Sequence, residues 1–308
     1  MDKGNLKRFK ALLVGINAYP SSPLRGCLND VHRMKKLLVD KFGAAPGDVT
    51  LLTDKHATTA AIKAALVKLA EGTEGDEDTV RLFHYSGHGS YTVDTSGDEA
   101  DGRDEGICPY DYDDAGLLTD DTLRGLYRGF GKRCHLVLVM DSCHSGTVQR
   151  DPERDVVFRF IWPPADVRRR CRELAAARKA ERDEAVKAAA RDALAAHPGA
   201  PTPEALDAAV EAAMRRYDRK HYGLETVRGP VVLVAGCRDN QTSADAKFDE
   251  GYYGALTYHF TRALEARPGG SYQELVAAAS DAMDADGFGQ EPQLECSRAA
   301  RAFTFLKH

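Results

Sequence analysis

Five short runs rich in Val and Leu punctuate the chain, at Ala11–Ile16, Val49–Leu52, Val80–Tyr85, Leu136–Met140 and Val231–Ala235. Each is too short and too continuous for an amphipathic helix and predicts a buried parallel strand. Between them the apolar spacing lengthens to a helical period at Leu28–Phe42 and at Thr59–Ala70, the second opened by Thr58 and stopped by Gly72. It does so again at Asp120–Phe130. Strand and helix alternate, which predicts an α/β sandwich.

The alternation breaks after the fourth run. From about Pro152 to Arg228 the chain turns to Ala, Arg and Glu, and two long helices are expected at Ala175–Ala196 and Pro203–Tyr217, parted by His197-Pro198-Gly199. Their apolar stripes are thin, which fits a solvated hairpin or linker, or alternatively a regulatory insertion. The strand pattern resumes at Val231, with helices expected at Leu256–Ala266 and Tyr272–Ala282 and a closing Phe303–Leu306. The expected organisation is therefore a first segment over 1–150, a helical insertion over 151–228, and a last segment over 229–308 that completes the same domain.

Composition narrows the class. The chain has 308 residues, 43% hydrophobic and 29% charged, with a net charge of −5, as expected of a water-soluble globular protein without general attraction to nucleic acid. No apolar run reaches membrane-spanning length, and the polar start Met1–Lys10 lacks the pattern of a secretory signal. Seven cysteines without paired spacing argue against a disulfide framework, so a cytoplasmic location is expected.

Two strand ends carry reactive side chains. The third run exits into Tyr85-Ser86-Gly87-His88-Gly89 and the fourth into Asp141-Ser142-Cys143-His144-Ser145-Gly146. Reactive groups in parallel sheets gather beyond the carboxyl ends of the strands, and flanking glycines let the backbone approach a substrate closely. Cys143 as nucleophile and His88 as acid/base partner are expected to share that edge, with a thiol acidified by the imidazole or a following helix N-terminus. Backbone N–H groups of Gly89 and Cys143 are placed to hold an oxyanion. A single Cys at a strand end is more often a small buried apolar residue; the two glycine-flanked motifs together favour catalysis. His84 and His88 are four apart but in a strand pattern, so a zinc pair is not favoured.

With these motifs in order, the sequence resembles the metacaspases and their caspase relatives. Further matches are Gly15-Ile16-Asn17, Leu24 to Asp30, and Gly236-Cys237-Arg238-Asp239-Asn240-Gln241-Thr242-Ser243-Ala244-Asp245. The resemblance covers about 8–150 and 229–306. It implies a caspase-like three-layer sandwich around a six-stranded, mostly parallel sheet, and peptide hydrolysis that needs no cofactor for its chemistry.

In the same resemblance Asp30, Ser86 and Asp141, with Asp239 as an addition, fall on positions that line a pocket for Arg or Lys before the scissile bond (P1). A carboxylate about 4 Å from a guanidinium attracts it by roughly 4 kcal/mol at an effective dielectric of 20, before desolvation. Arg25 is the one cation that would serve an acidic P1 instead. Calcium as an activator is also implied, through Asp104, Asp120, Asp121 and Asp151 in and beyond an acidic stretch, which a plain solvated loop would equally explain. Basic pairs within Arg168–Arg228 are candidate sites for zymogen processing by the enzyme itself or by an upstream peptidase. Protein substrates, a monomer, and a place in bacterial signalling, cell-death or antiphage proteolysis complete the expectation. The rival is a catalytically silent caspase-like interaction module that acts through its insertion.

Overall fold

The computed structural model describes residues 9–75, 78–143, 156–195, 202–221, 229–237, 241–297 and 300–306. In chain order its elements are β1 (Phe9–Gly15), α1 (Cys27–Asp40), β2 (Val49–Thr53), α2 (Thr59–Ala70), β3 (Thr79–Ser86), β4 (Gly89–Val93), β5 (Arg103–Ile107), α3 (Tyr112–Ala115), β6 (Leu118–Thr119), α4 (Asp120–Tyr127) and β7 (Cys134–Asp141). They continue as β8 (Val157–Phe158), α5 (Ala165–Ala195), α6 (Pro203–His221), β9 (Val231–Ala235), β10 (Ala244–Phe248), β11 (Gly251–Gly254), α7 (Ala255–Ala266), α8 (Tyr272–Ala285) and β12 (Gln293–Cys296).

The five apolar runs form β1, β2, β3, β7 and β9, joined in one six-stranded sheet of order β12-β9-β7-β3-β1-β2. The five are mutually parallel where paired, and β12 is antiparallel at the edge. Every residue of β3 and β7 is buried, because helices cover both faces, and this is why those runs lack polar alternation. Leu13, Leu82, Val139 and Val234 face α1, α7 and α8 through Met34, Leu38, Leu256, Phe260 and Leu275. On the other face Leu12, Phe83, Leu136 and Leu138 meet Ile62 and Leu66 of α2 and Leu123 of α4. The expected bounds of α2 match, with Thr58 Oγ1 accepting from Ala61 N–H at 3.2 Å.

The chain divides into two compact units. The first comprises Met1–Ser90, Glu105–Trp162 and Val227–His308; the second comprises Tyr91–Asp104 and Pro163–Thr226. The expected segment boundary at 150 differs from this, because Val157–Phe158 pairs with β10 and stays with the first unit. Within the second unit α5 starts ten residues before the expected Ala175. Its early turns have an anchor that composition did not show: Cys171 is buried and its thiol donates to the Thr92 carbonyl at 3.6 Å. Arg178 pairs with Asp94 at 2.5 Å in the same unit.

Candidate active site

Four neighbouring parallel strands end together at Gly15, Ser86, Asp141 and Ala235, with Ser86 in register opposite Asp141. Side chains just past β3 and β7 are therefore neighbours, and His88 and Cys143 sit at this edge. Between β3 and His88 stands Gly87, where a Cβ would lie 2.6 Å from the hydroxyls of both Tyr19 and Tyr85. Those phenols hold the His88 backbone: Tyr19 Oη accepts from its N–H at 3.1 Å, and Tyr85 O–H donates to its carbonyl at 2.7 Å. The imidazole rests 4.6 Å from the Tyr19 ring.

His88 Nε2 lies 2.7 Å from the Ser22 carbonyl oxygen. A carbonyl only accepts, so Nε2 carries the hydrogen and Nδ1 keeps a lone pair in the neutral ring. Burial lowers the pKa to about 4, against the opposing effects of the Ser22 carbonyl and the Arg159 backbone beside the ring. The orienting partner of His88 is thus a main-chain oxygen, which no side-chain pattern in the sequence could announce.

Cys143 stands two residues past the end of β7 and is fully buried. Its Sγ lies 3.7 Å from the Ser243 carbonyl and 3.7 Å from Cys237 Sγ, and it also meets the Ser243 N–H. Burial and then Cys237 raise the thiol pKa well above its ordinary value. The pair described is a neutral thiol with a neutral imidazole, where the sequence led to an acidified thiol. Burial is the physical reason; the expected helix N-terminus falls in 144–155, outside the described residues.

The cleft between them holds a residue that the sequence did not single out. Arg159 N–H donates to the Ser243 carbonyl at 3.0 Å. Its carbonyl oxygen accepts from the N–H of Gly89 at 3.0 Å and of Cys143 at 3.3 Å. Its guanidinium is wholly buried: Nη2 reaches Asp30 at 2.7 Å and Asp245 at 3.0 Å, while Nη1 reaches Ser86 Oγ at 2.8 Å and Asp141 Oδ1 at 3.3 Å. Three residues named from the sequence for a P1 pocket, Asp30, Ser86 and Asp141, thus surround one guanidinium. Asp239 lies outside the described residues. Asp245, six positions on in the same motif, is the third carboxylate.

The pocket is rigidly built. Asp141 accepts from Ser243 Oγ at 2.8 Å and from the N–H and hydroxyl of Thr257 at 2.8 and 2.7 Å. Because the Thr257 hydrogen is spent on Asp141, His84 Nε2, 3.1 Å away, must be the donor to that oxygen. Asp245 accepts from the N–H groups of Arg25 and Gly26 at 2.7 and 2.9 Å, and Gly254 N–H bonds Asp30 at 3.0 Å. Gly254 forms the pocket wall, and a Cβ there would run into Asp141 Oδ2 and the Arg159 guanidinium. Burial raises the Asp30 pKa to about 7 even with Arg159 opposing it. Arg25, the cation weighed for an acidic P1, lies 4.4 Å over the Tyr252 ring and gives its backbone N–H to Asp245.

Comparison with known proteins gives the same family that the motifs pointed to. A family model described as the metacaspase peptidase C14 domain matches residues 9–152. The chain is 33% identical over 309 residues to Metacaspase-1 of Scheffersomyces stipitis, covering 94% of this chain and 71% of that protein. The chain belongs to the metacaspase family. It is also 33% identical to Metacaspase-1 of Cryptococcus neoformans, of which it spans 62%. A crystal structure of a protein from Geobacter sulfurreducens matches at a TM-score of 0.61 and 26% identity, over 97% of this chain and 98% of that one.

Other metacaspase expectations fall differently. Asp120 and Asp121 occupy the first turn of α4, where both pair with Arg124, at 2.6 and 3.0 Å. Asp104 belongs to the second unit, and Asp151 lies outside the described residues. Among the described residues no group of three or more His, Cys, Asp or Glu is gathered as for a metal ion. The basic residues proposed for processing, Arg168–Arg170, Arg178–Lys179, Arg215–Arg216 and Arg219–Lys220, all lie in α5 and α6, where helical backbone does not present an extended peptide. No helix among the described residues is long and apolar enough to cross a membrane.

Proposed function

We propose that this metacaspase is a cysteine endopeptidase that cuts protein chains after Arg or Lys through Cys143 and His88. The observation that carries this reading is the placement of Arg159. Its guanidinium lies among three carboxylates while its carbonyl oxygen accepts from two N–H groups beside the nucleophile, the disposition a bound P1 residue requires.

For a substrate in that position, Cys143 Sγ attacks the P1 carbonyl carbon as its proton moves to His88 Nδ1, the nitrogen left basic by the Ser22 contact. The Gly89 and Cys143 N–H groups receive the developing negative charge. His88 then protonates the leaving amine, and water, activated by the same nitrogen, hydrolyses the thioester. Arg159 fills the pocket and Cys143 is buried beside it, which supports a zymogen reading. The same buried thiol is what a silent interaction module would show.

The two readings separate on a set of fluorogenic peptides with Arg, Lys, Gln or Asp at P1, assayed with wild type and Cys143→Ala. Hydrolysis of the Arg and Lys peptides by wild type alone is expected. Cleavage after Asp would overturn the specificity. Inactivity towards every peptide, also in an Arg159→Gln variant whose pocket is vacated, would leave the silent module.

A further inference from the structure

The segment Val156–Trp162 is held over more of its length than a guanidinium plug needs. On the amino side of Arg159, β8 pairs antiparallel with β10, Val157 opposite Asp245 and Phe158 opposite Ala244. On the carboxyl side the segment crosses to another strand: Phe160 forms a parallel bridge with Gly89, Ile161 N–H donates to the Gly89 carbonyl at 3.0 Å, and Ser90 O–H donates to the Ile161 carbonyl at 2.7 Å. The backbone is therefore extended and hydrogen-bonded on both sides of one peptide bond, as a protease binds the chain it cuts.

Side chains follow the backbone. Val156 packs against the buried cluster of Ala244, Ala255 and Met283, as do Phe248 and Phe288. It opens onto a cleft of about 590 Å³ lined by Phe248, Tyr258, His259, Arg262 and Phe288 among others. Phe160 is buried, its ring 5.2 Å from Trp162 and edge-on to it.

From this we infer that the Arg159–Phe160 bond is this chain's own cleavage site, with Val156 to Ile161 filling consecutive subsites from four residues before the bond to two after it. The inference rests on the Arg-directed reading above and locates the bond. Attack by Cys143 Sγ forms a C–S bond to the Arg159 carbonyl carbon as the C–N bond to Phe160 breaks. The thiol proton travels through His88 Nδ1 to the departing Phe160 amine. Water then replaces the sulfur, leaving an Arg159 carboxylate and a restored thiol. External substrates would share the same pattern, with an apolar residue four before the bond. Burying a Val-sized side chain is worth roughly 1.5–3 kcal/mol, about a tenfold or larger effect on kcat/KM.

The full chain is incubated and examined by intact mass and N-terminal sequencing, for wild type, Cys143→Ala, Arg159→Gln and Phe160→Pro. The bridge to Gly89 runs through the Ile161 N–H and the Arg159 carbonyl, so proline at 160 blocks cleavage while keeping those bonds and the Arg159 side chain. A new N-terminus at Phe160 is expected in wild type and in none of the variants. Each protein is also given a peptide of the sequence Val156–Trp162 and its counterpart with Asp in the Val156 position, the latter expected to be cut about tenfold more slowly. Hydrolysis of the first peptide by Arg159→Gln, with wild type never cut at Phe160 or cut elsewhere, would overturn this inference and leave the Arg-directed reading standing. Equal rates on both peptides would remove the Val156 subsite. If neither wild type nor Arg159→Gln cuts any Arg peptide, the underlying reading and this inference fall together.

Discussion

Arg159 Nη2 lies 2.7 Å from Asp30 Oδ2, and neither side chain has any exposure to solvent. A guanidinium taken out of water is retained only where charge and hydrogen bonds replace its hydration. Here Asp30, Asp141, Asp245 and Ser86 supply them. Three carboxylates around one cation leave an excess of negative charge. The pocket is therefore organised for a cation, and its carboxylates are kept in place by backbone N–H groups and hydroxyls that any bound cation leaves undisturbed.

Asp30→Asn tests that charge at nearly constant volume. A hydrogen bond to a charged group contributes about 1.5–3 kcal/mol, so a loss of roughly 10- to 100-fold in kcat/KM for Arg peptides is expected. The ratio of Arg to Gln cleavage should fall by the same factor. An unchanged ratio would show that Asp30 does not read the P1 charge.

Gly254→Ala addresses the shape of the pocket. The added methyl would collide with Asp141 Oδ2 and with the position of the guanidinium. All three carboxylates and the dyad remain, so the variant is expected to label with a thiol-directed probe yet lose Arg peptide hydrolysis by at least tenfold. The thermal midpoint, read beside it, separates a blocked pocket from a collapsed one.

The parts of this site visible in the sequence are those carried by strand ends. β3 and β7 are Val- and Leu-rich runs broken only by the buried Arg81, His84 and His135, and their parallel pairing brings Ser86 and Asp141 into register. His88, Cys143, Asp30 and Gly89 follow from their motifs. What was not legible has physical causes. The Ser22 carbonyl that orients His88 has no side-chain signature. Asp245 stands in a noted motif, but only the β10 register turns it towards the guanidinium. Arg159 sits in Val-Phe-Arg-Phe-Ile with no cap, glycine or period, and its role depends on contacts 18 to 129 residues away. The short strands β8, β10 and β11 were missed because two to five mixed residues carry too little alternation to read.

Activity should rise with pH through neutrality. The Asp30 carboxyl, raised to about 7 by burial, is neutral below that value and negative above it, so attraction for P1 Arg strengthens as pH increases. His88, lowered to about 4 by burial, is already the free base throughout that range. A plot of kcat/KM for an Arg peptide is expected to climb between pH 6 and 8 on an Asp30-dependent limb, which Asp30→Asn removes. A limb that persists in that variant assigns it to another group.

Acid stability should carry the signature of two buried imidazoles. His84 and His88 are each lowered from 6.5 to about 4 by burial, so the folded state binds fewer protons than the unfolded chain between those values. Stability is then lost as pH falls through about 6.5 to 4. Asp30 acts in the opposite direction, because its folded pKa exceeds 3.8 and the folded state binds the extra proton between 3.8 and about 7. Melts of Cys143→Ala, used to prevent self-digestion, should show a midpoint falling below pH 6. Cys143→Ala/Asp30→Asn should lose the part of the pH dependence that opposes it, giving a steeper decline on the acid side. An equal slope in both proteins would mean that Asp30 titrates normally in the fold.

Gly87→Ala separates the placement of His88 from the chemistry of its ring. A Cβ at 87 would lie 2.6 Å from the Tyr19 and Tyr85 hydroxyls, the two groups that hold the His88 backbone, so the segment must shift and draw Nε2 off the Ser22 carbonyl. The tautomer then loses its fixed orientation. A fall of about 100-fold in kcat is expected for an ångström-scale misplacement of the base, with KM for Arg peptides changed little because the carboxylates lie on other segments. Tyr85→Phe removes the hydroxyl that meets the His88 carbonyl, the Cys108 carbonyl and the Tyr19 hydroxyl without adding bulk, and should cost about 1–2 kcal/mol of stability with a smaller loss of kcat. If both variants kept full kcat, the Ser22 contact would have no part in positioning the imidazole.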